Sequence, residues 1–238
     1  MKAIANSTQT NGAARYLSTR PHPLAKLDSI ATIMSCRCDQ EICRQSFPAE
    51  QLYFVVIGVA RCSVLRTDDR RQIVDLMLPG DFFGFTAGDD YDYTAEAVAK
   101  DTILACYPRR RAEALADCDP LLARELRRIT LGAISRLQAQ LLILGRTTAL
   151  EKVASFILEM ETRLSQRRPD GIALPVSRYD IADYLAISVE TVSRALTTLA
   201  HSGIINLSGT RMVKIVDHDM LEDGGRESSA QRPRPWSG

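Results

Sequence analysis

Glu190 and Arg194 stand four residues apart in a helical pattern, so one lies above the other on a single helix face. A carboxylate only accepts hydrogen bonds, and a guanidinium only donates them, in a planar fork. Together they match the edges of a C·G pair: the carboxylate accepts from cytosine N4, and the fork donates two parallel bonds to guanine O6 and N7. Alone, such residues form a solvated ion pair worth ~0.3–0.5 kcal/mol. The elements around them give the pair its meaning.

Ser177, followed three residues later by Asp180, makes a capping box, after which Ile181, Ala182, Tyr184 and Leu185 give a short helix its buried side. Ala186-Ile187 breaks the pattern. Ser188 then caps a second helix whose Val192, Ala195, Leu196 and Leu199 recur at spacings of three and four and face inward. Val189, Glu190, Ser193 and Arg194 are left facing out, at the end a helix-turn-helix presents to the major groove. Gly203 and the strand-like runs 204–207 and 212–216, around Ser208-Gly209-Thr210-Arg211, predict a wing.

The stretch IADYLAISVETVSRALTTLAHSGII resembles the recognition segment of the CRP/FNR superfamily of bacterial transcription regulators, and V-E-T-V-S-R matches the E-x-x-S-R form of the FNR and FixK branches. Ala186 stands where relatives commonly carry Gly; if that position needs positive φ, Ala costs ~1 kcal/mol. The resemblance implies a TTGA-N6-TCAA-type inverted repeat. Arg194 is assigned to the guanine, Glu190 to the cytosine paired with it or its neighbour, and Val189 or Ser193 to thymine methyls. Arg178, Ser188, Arg211 and Lys214 are the expected phosphate contacts.

Composition agrees with a soluble globular protein of one or two domains: 238 residues, 45% apolar and 25% charged. No membrane span and no leader-like apolar segment is present, which points to the cytoplasm. A net charge of +1 argues against a histone-like, sequence-independent role. From Arg146 to Val216, nine Lys and Arg face seven Asp and Glu, a net +2. Such a surface relies on a few placed contacts and on two copies acting together. An arm (1–23) and a tail (219–238, with Arg-Pro-Arg-Pro and the lone Trp236) carry no apolar period and read as unpacked.

Short β-rich runs at 52–56, 60–65, 73–78, 94–98 and 103–107 predict a sandwich or small barrel. The segment Leu78-Pro79-Gly80-Asp81-Phe82-Phe83-Gly84-Phe85 resembles the L-x-G-D-x-x-G segment of the superfamily's cyclic-nucleotide-binding-type β-roll. The cyclic AMP-binding branch uses a Glu and an Arg-Ser pair for its ligand; here Phe85 and Tyr93-Thr94 fall in those places. A buried phosphate would lack its Arg, so no cyclic nucleotide is expected. FNR places three cluster cysteines in an arm before the roll, and residues 1–35 contain none. By the same resemblance Cys36, Cys38 and Cys43 fall within the first strands of the roll, and Cys36 and Cys38 are expected to share one strand face as apolar packing; Cys62 and Cys118 look isolated, and Cys106 lies one residue from the place of FNR's roll cysteine. No metal, cofactor or disulfide is expected, and His22, His201 and His218 lie outside the roll.

Residues 120–144 form the second organising element: Leu122, Leu126, Ile129, Ala133, Leu137, Leu141 and Leu144 recur at spacings of three and four along a helix of ~37 Å. Pro120 suits its first turn, Asp119 its cap and Gly145 its stop. As in the family, the stripe is read as a homodimer interface. The architecture expected is α+β: a β-roll (24–119), a dimerisation helix (120–145) and a C-terminal winged helix-turn-helix (146–218). By resemblance, Thr67, Asp68, Asp69 and Arg70, and the loop 166–171, are candidate contacts for RNA polymerase. The FixK-like branch, which lacks the FNR cysteines, fits best; it implies an activator for oxygen-limitation, nitrogen-fixation or anaerobic-respiration genes. The alternative is a sensor of the same superfamily gated by haem or a small molecule. No nucleophile elbow, P-loop or dinucleotide fingerprint supports catalysis, so no catalytic residues are expected.

Overall fold

The computed structural model describes residues 24–67, 70–164 and 171–224. Asp68, Asp69, most of the 166–171 loop, His22 with the arm, and Trp236 with the tail lie outside these residues. The chain divides into two compact units, with the boundary in sequence between Gln140 and Leu141.

The first unit opens with a 3₁₀ turn, Ala25–Ile30, and eight strands: β1 (Thr32–Cys36), β2 (Glu41–Cys43), β3 (Gln51–Ile57), β4 (Ala60–Leu65), β5 (Arg71–Met77), β6 (Phe82–Phe83), β7 (Thr94–Ala97) and β8 (Thr102–Pro108). They pair antiparallel in two sheets, ordered β1-β8-β3-β6 and β2-β7-β4-β5. The run Leu52 to Val56 is apolar without alternation because β3 is covered on both faces. Tyr53 and Val55 join Leu104, Cys106, Ala95 and Phe83 in the roll interior. Leu52, Phe54 and Val56 pack on the other side with Tyr107, Phe82, Ala112 and Leu122.

Cysteine placement corrects two expectations. Cys36 ends β1 and is buried, whereas Cys38 sits in the following turn, exposed, because Asp39 takes φ 60 and Gln40 N–H closes the turn on Arg37 O. Cys62 is not isolated: it is fully buried in one cluster with Cys36, Cys43 and Cys106. Burial raises all four thiols, Cys43 and Cys106 to about 12, so they remain protonated, uncharged packing groups at neutral pH.

Helix α1 (Arg109–Cys118), which carries three consecutive arginines and no clear apolar stripe, escapes sequence reading. Helix α2 (Pro120–Leu144) follows, with Asp119 Oδ1 accepting from Leu121 N–H at 3.0 Å and Leu122 N–H at 3.3 Å. Its roll side takes part of the expected dimer stripe, whose Leu137 and Leu141 stay exposed. Leu122 is buried, and Leu126 and Ile129 pack against the roll's own cluster, while Ala133 and Leu137 line a cavity in the roll. One face of a helix cannot serve two partners. The apolar residues left exposed are Leu121, Leu131, Ile134, Leu137, Leu141 and Leu142.

The second unit holds α3 (Ala149–Arg163), β9 (Ile172–Ala173), α4 (Arg178–Leu185), α5 (Val189–His201), β10 (Ile205–Ser208), β11 (Met212–Ile215) and α6 (His218–Glu222). A three-stranded antiparallel sheet, ordered β10-β11-β9, forms the wing. Thr148 starts α3 with a full capping box: its side chain accepts from Glu151 N–H, and Glu151 accepts from Thr148 N–H.

Two glycines of the roll's turn separate backbone strain from close approach. Gly80 (φ 101) has open space where a Cβ would stand, whereas a Cβ on Gly84 (φ 95) would meet Gln51 O at 2.7 Å. Gly80→Ala is expected to cost ~1–2 kcal/mol for its backbone alone. Gly84→Ala adds overpacking of ~1–3 kcal/mol, a ranking that urea unfolding of the two variants checks.

Candidate nucleic-acid interface

Helices α4 and α5 are positioned by the caps and by the inner face of each. Ser177 Oγ accepts from Asp180 N–H at 3.1 Å while Asp180 Oδ2 accepts from Ser177 N–H at 3.1 Å, so two orphan donors at the start of α4 are satisfied reciprocally. Ile181, Ala182, Tyr184 and Leu185 are buried, and the Phe156 and Tyr184 rings meet edge-on at 5.5 Å. The helix stops at Ala186, which takes the left-handed conformation (φ 53, ψ 45), and Ile187 N–H closes on Ala182 O at 3.1 Å. Positive φ, which the sequence only raised as a condition, is therefore what the turn requires.

Ser188 Oγ then accepts from Thr191 N–H at 3.2 Å and starts α5. Val192, Ala195, Leu196 and Leu199 are buried. Burying that face on α3 and α4 leaves Glu190 and Arg194 exposed, with Val189 and Ser193 half-buried beside them. The Glu190 carboxyl is held below the ordinary glutamate range by its own backbone N–H, by the Ser188 hydroxyl and, least, by Arg194. At neutral pH it is the ionised acceptor that base readout needs.

The wing brings Arg211 and Lys214 to the surface. Lys214 lies opposite Asn206 in the β10–β11 ladder, and Arg211 sits in the connecting turn with Gly209 at φ 65. Ser188 is exposed and Arg178 half-buried. All eight residues assigned from sequence to bases or phosphates thus reach the surface of one unit. Thr67 and Arg70 flank the undescribed tip of the β4–β5 hairpin in the other unit.

One polar network was invisible in the sequence. The Tyr184 hydroxyl donates to Glu159, 3.1 and 2.9 Å from its two oxygens, and Glu159 also pairs with Arg163 at 3.2 Å. It ties α4 to α3. Glu159 and Arg163 are visible as an i,i+4 pair, but nothing in the spacing couples them to a tyrosine 25 residues away. Similarly, His218, beginning α6, stands 3.0 Å from Glu161 and 3.2 Å from Glu222. Among the described residues no group of three His, Cys, Asp or Glu is disposed to hold a metal ion, and no helix is long and apolar enough to cross a membrane.

A capped helix pair with an outward carboxylate and guanidinium, followed by a wing, defines a DNA-binding transcription regulator. Comparison with known proteins agrees. Residues 151–223 match the Crp-like helix-turn-helix domain, and residues 33–118 match the cyclic nucleotide-binding domain. The nitrogen fixation regulation protein FixK of Azorhizobium caulinodans is 37% identical over 218 residues, covering 90% of this chain and 87% of that protein. The transcriptional activator protein FnrL of Cereibacter sphaeroides is 32% identical, covering 88% and 87%. The solved structure of FixK2 from Bradyrhizobium japonicum superposes with a TM-score of 0.76 at 42% identity, covering 82% of this chain and 96% of that one. The chain belongs to the CRP/FNR superfamily, in its FixK-like branch, a family of transcription regulators and not of enzymes.

The turn between α4 and α5 yields a direct test. Ala186→Gly removes a left-handed alanine penalty of ~1 kcal/mol and returns part of it as unfolded-state entropy, so the variant is expected to gain about 0.5 kcal/mol in chemical denaturation.

Proposed function

We propose that two copies of the chain associate along the outer face of α2 and read an inverted repeat of the TTGA-N6-TCAA type, activating transcription there. The observation that carries this reading is the outward pair Glu190 and Arg194 on a helix whose inner face is wholly buried. Two-fold symmetry would set the recognition helices one helical turn apart, about 34–36 Å, on one side of the duplex. Leu131, Ile134, Leu141 and Leu142, 45–74% exposed, supply the apolar surface for a second copy. Arg194 takes the guanine, Glu190 the cytosine, Val189 or Ser193 a thymine methyl, and Arg178, Ser188, Arg211 and Lys214 the phosphates. Thr67, Asp68, Asp69 and Arg70 form the proposed contact for RNA polymerase. The relatives named for nitrogen fixation regulation and transcriptional activation support activation and nitrogen-fixation targets; genes for oxygen limitation or anaerobic respiration, and action in the cytoplasm, follow from the family resemblance.

Cyclic nucleotides are not part of this reading. The roll cavity is lined by Phe85 and Tyr93 together with Asp75, Asp92 and Arg136, and Arg136 lies within 3.5–3.7 Å of Asp75 and Asp81. A phosphate entering there would find its cation already matched by carboxylates. A small uncharged ligand is the second reading, favoured by the cavity itself, about 300 Å³ and walled by Phe82, Phe83 and Phe85. Its signature would be a coloured preparation or a ligand-dependent melting shift.

The deciding measurement is binding of the purified chain, in air and without added ligand, to a TTGA-N6-TCAA duplex and to the same duplex with its G·C pairs swapped. Tight binding to the first alone is expected; equal binding to both would reject the assignment of Glu190 and Arg194. Arg194→Ala is expected to cost ~1–3 kcal/mol and relax the guanine preference. Lys214→Ala, by contrast, should weaken both duplexes alike and lower the slope of log affinity against log salt by about 1.

A further inference from the structure

Helix α2 is held to the roll in two different ways along its length. In the first half, Leu122 is buried and Leu126 and Ile129 pack on the cluster that contains Phe54, Phe82 and Tyr107. Beyond Ile129 no residue of the helix joins that cluster. Ala133 and Leu137 face the cavity of about 300 Å³, whose other wall includes Cys62, Val74 and Phe83. Leu137 is 44% exposed there, so this part of the helix gains little packing from the roll.

Contact resumes through polar groups. Arg136 Nε stands 3.5 Å from Asp75 Oδ2 on β5, and another guanidinium nitrogen 3.7 Å from Asp81 Oδ1 in the turn after β5. One turn further on, Gln140, 5% exposed, donates from Nε2 to Ile73 O at 3.1 Å. The anchors are themselves fixed: Asp75 accepts from Leu76 N–H at 2.8 Å, and Asp81 from Leu78 N–H at 2.8 Å.

We propose that Arg136 and Gln140 are positioning residues for dimerisation, clamping the second half of α2 to β5 across the cavity so that Leu131, Ile134, Leu141 and Leu142 meet a second copy with no ligand filling the space. The proposal rests on the reading of α2 as the dimer helix. A rod pinned only by Leu122, Leu126 and Ile129 would leave its far end, about 16 Å on at Gln140, free to choose its angle. The polar clamp sets that angle by direction, since hydrogen bonds and ion pairs are directional where apolar contact is not. It makes the dimer face a property of the folded chain, which suits a regulator competent without an effector.

The test compares the full chain with Gln140→Met and with the double variant Asp75→Asn, Arg136→Met, which removes the ion pair without stranding a buried carboxylate. Sedimentation gives the dimer dissociation constant, and hydrogen exchange reports on α2 segment by segment. A dimeric parent is expected. The dissociation constant should rise about tenfold or more in the double variant, which loses a bond between charged groups, and severalfold in Gln140→Met, which loses a neutral one. Amides 133–144 should exchange faster and amides 122–129 unchanged. Raising the protein concentration above the new constant should restore DNA binding with the same guanine preference. A dimeric parent whose variants dimerise and exchange as it does would overturn the clamp while leaving the dimer reading intact. Faster exchange throughout the roll would also overturn it, because the two residues would then be holding the core. A monomeric parent would overturn the dimer reading, and the role of the clamp with it.

Discussion

Burial of the inner face of α5 is the constraint on which the DNA-binding surface depends. Val192, Ala195, Leu196 and Leu199 have no exposed alternative once α3 and α4 are in place, and fully burying an aliphatic side chain is worth about 1.5–3 kcal/mol. A helix has one azimuth that satisfies all four. At that azimuth Glu190 and Arg194 point away from the core, with no energy of their own needed to hold them there. The left-handed Ala186 and the Ser188 cap set where the helix begins, so azimuth and origin together place the reading head.

The roll follows a related logic with a different outcome. Strand β3 is covered on both faces, by the roll interior on one side and by the helices on the other, which explains its unbroken apolar run. The same helix that covers it, α2, offers only one side to the roll. Its roll-facing side packs through Leu122, Leu126 and Ile129, lines a cavity with Ala133, Arg136 and Leu137, and makes polar contacts through Arg136 and Gln140. Phe85 and Tyr93 line that cavity, and Arg136 stands there against Asp75 and Asp81. The roll is thus built as a scaffold for α2 whose polar contacts lie at the far end of the helix.

Periodicity and caps were legible from the residues. The two capping residues of the helix-turn-helix, the four inward positions of α5 and the span 120–144 of the long helix all rest on local rules: a side-chain oxygen three residues before a backbone N–H, or a repeat of 3.6. Which of two apolar sides of the long helix faces the roll was not legible. Leu122, Leu126 and Ile129 lie on one side, Leu131, Ile134 and Leu141 on another, and a stripe of leucines does not say what covers it. Cys38 was misplaced for a related reason: period-2 alternation was continued through a turn that only the positive φ of Asp39 reveals.

The sequence by itself determined the reading head, because cap, turn and inward face are encoded within the 23 residues from Ser177 to Leu199. Tertiary structure alone decided what depends on residues far apart in the chain. Tyr184 finds Glu159, Cys62 joins Cys36 and Cys106, and Arg136 reaches Asp75 across 61 positions. Such pairings depend on loop closure and on the summed packing of whole sheets, and no local spacing carries that information.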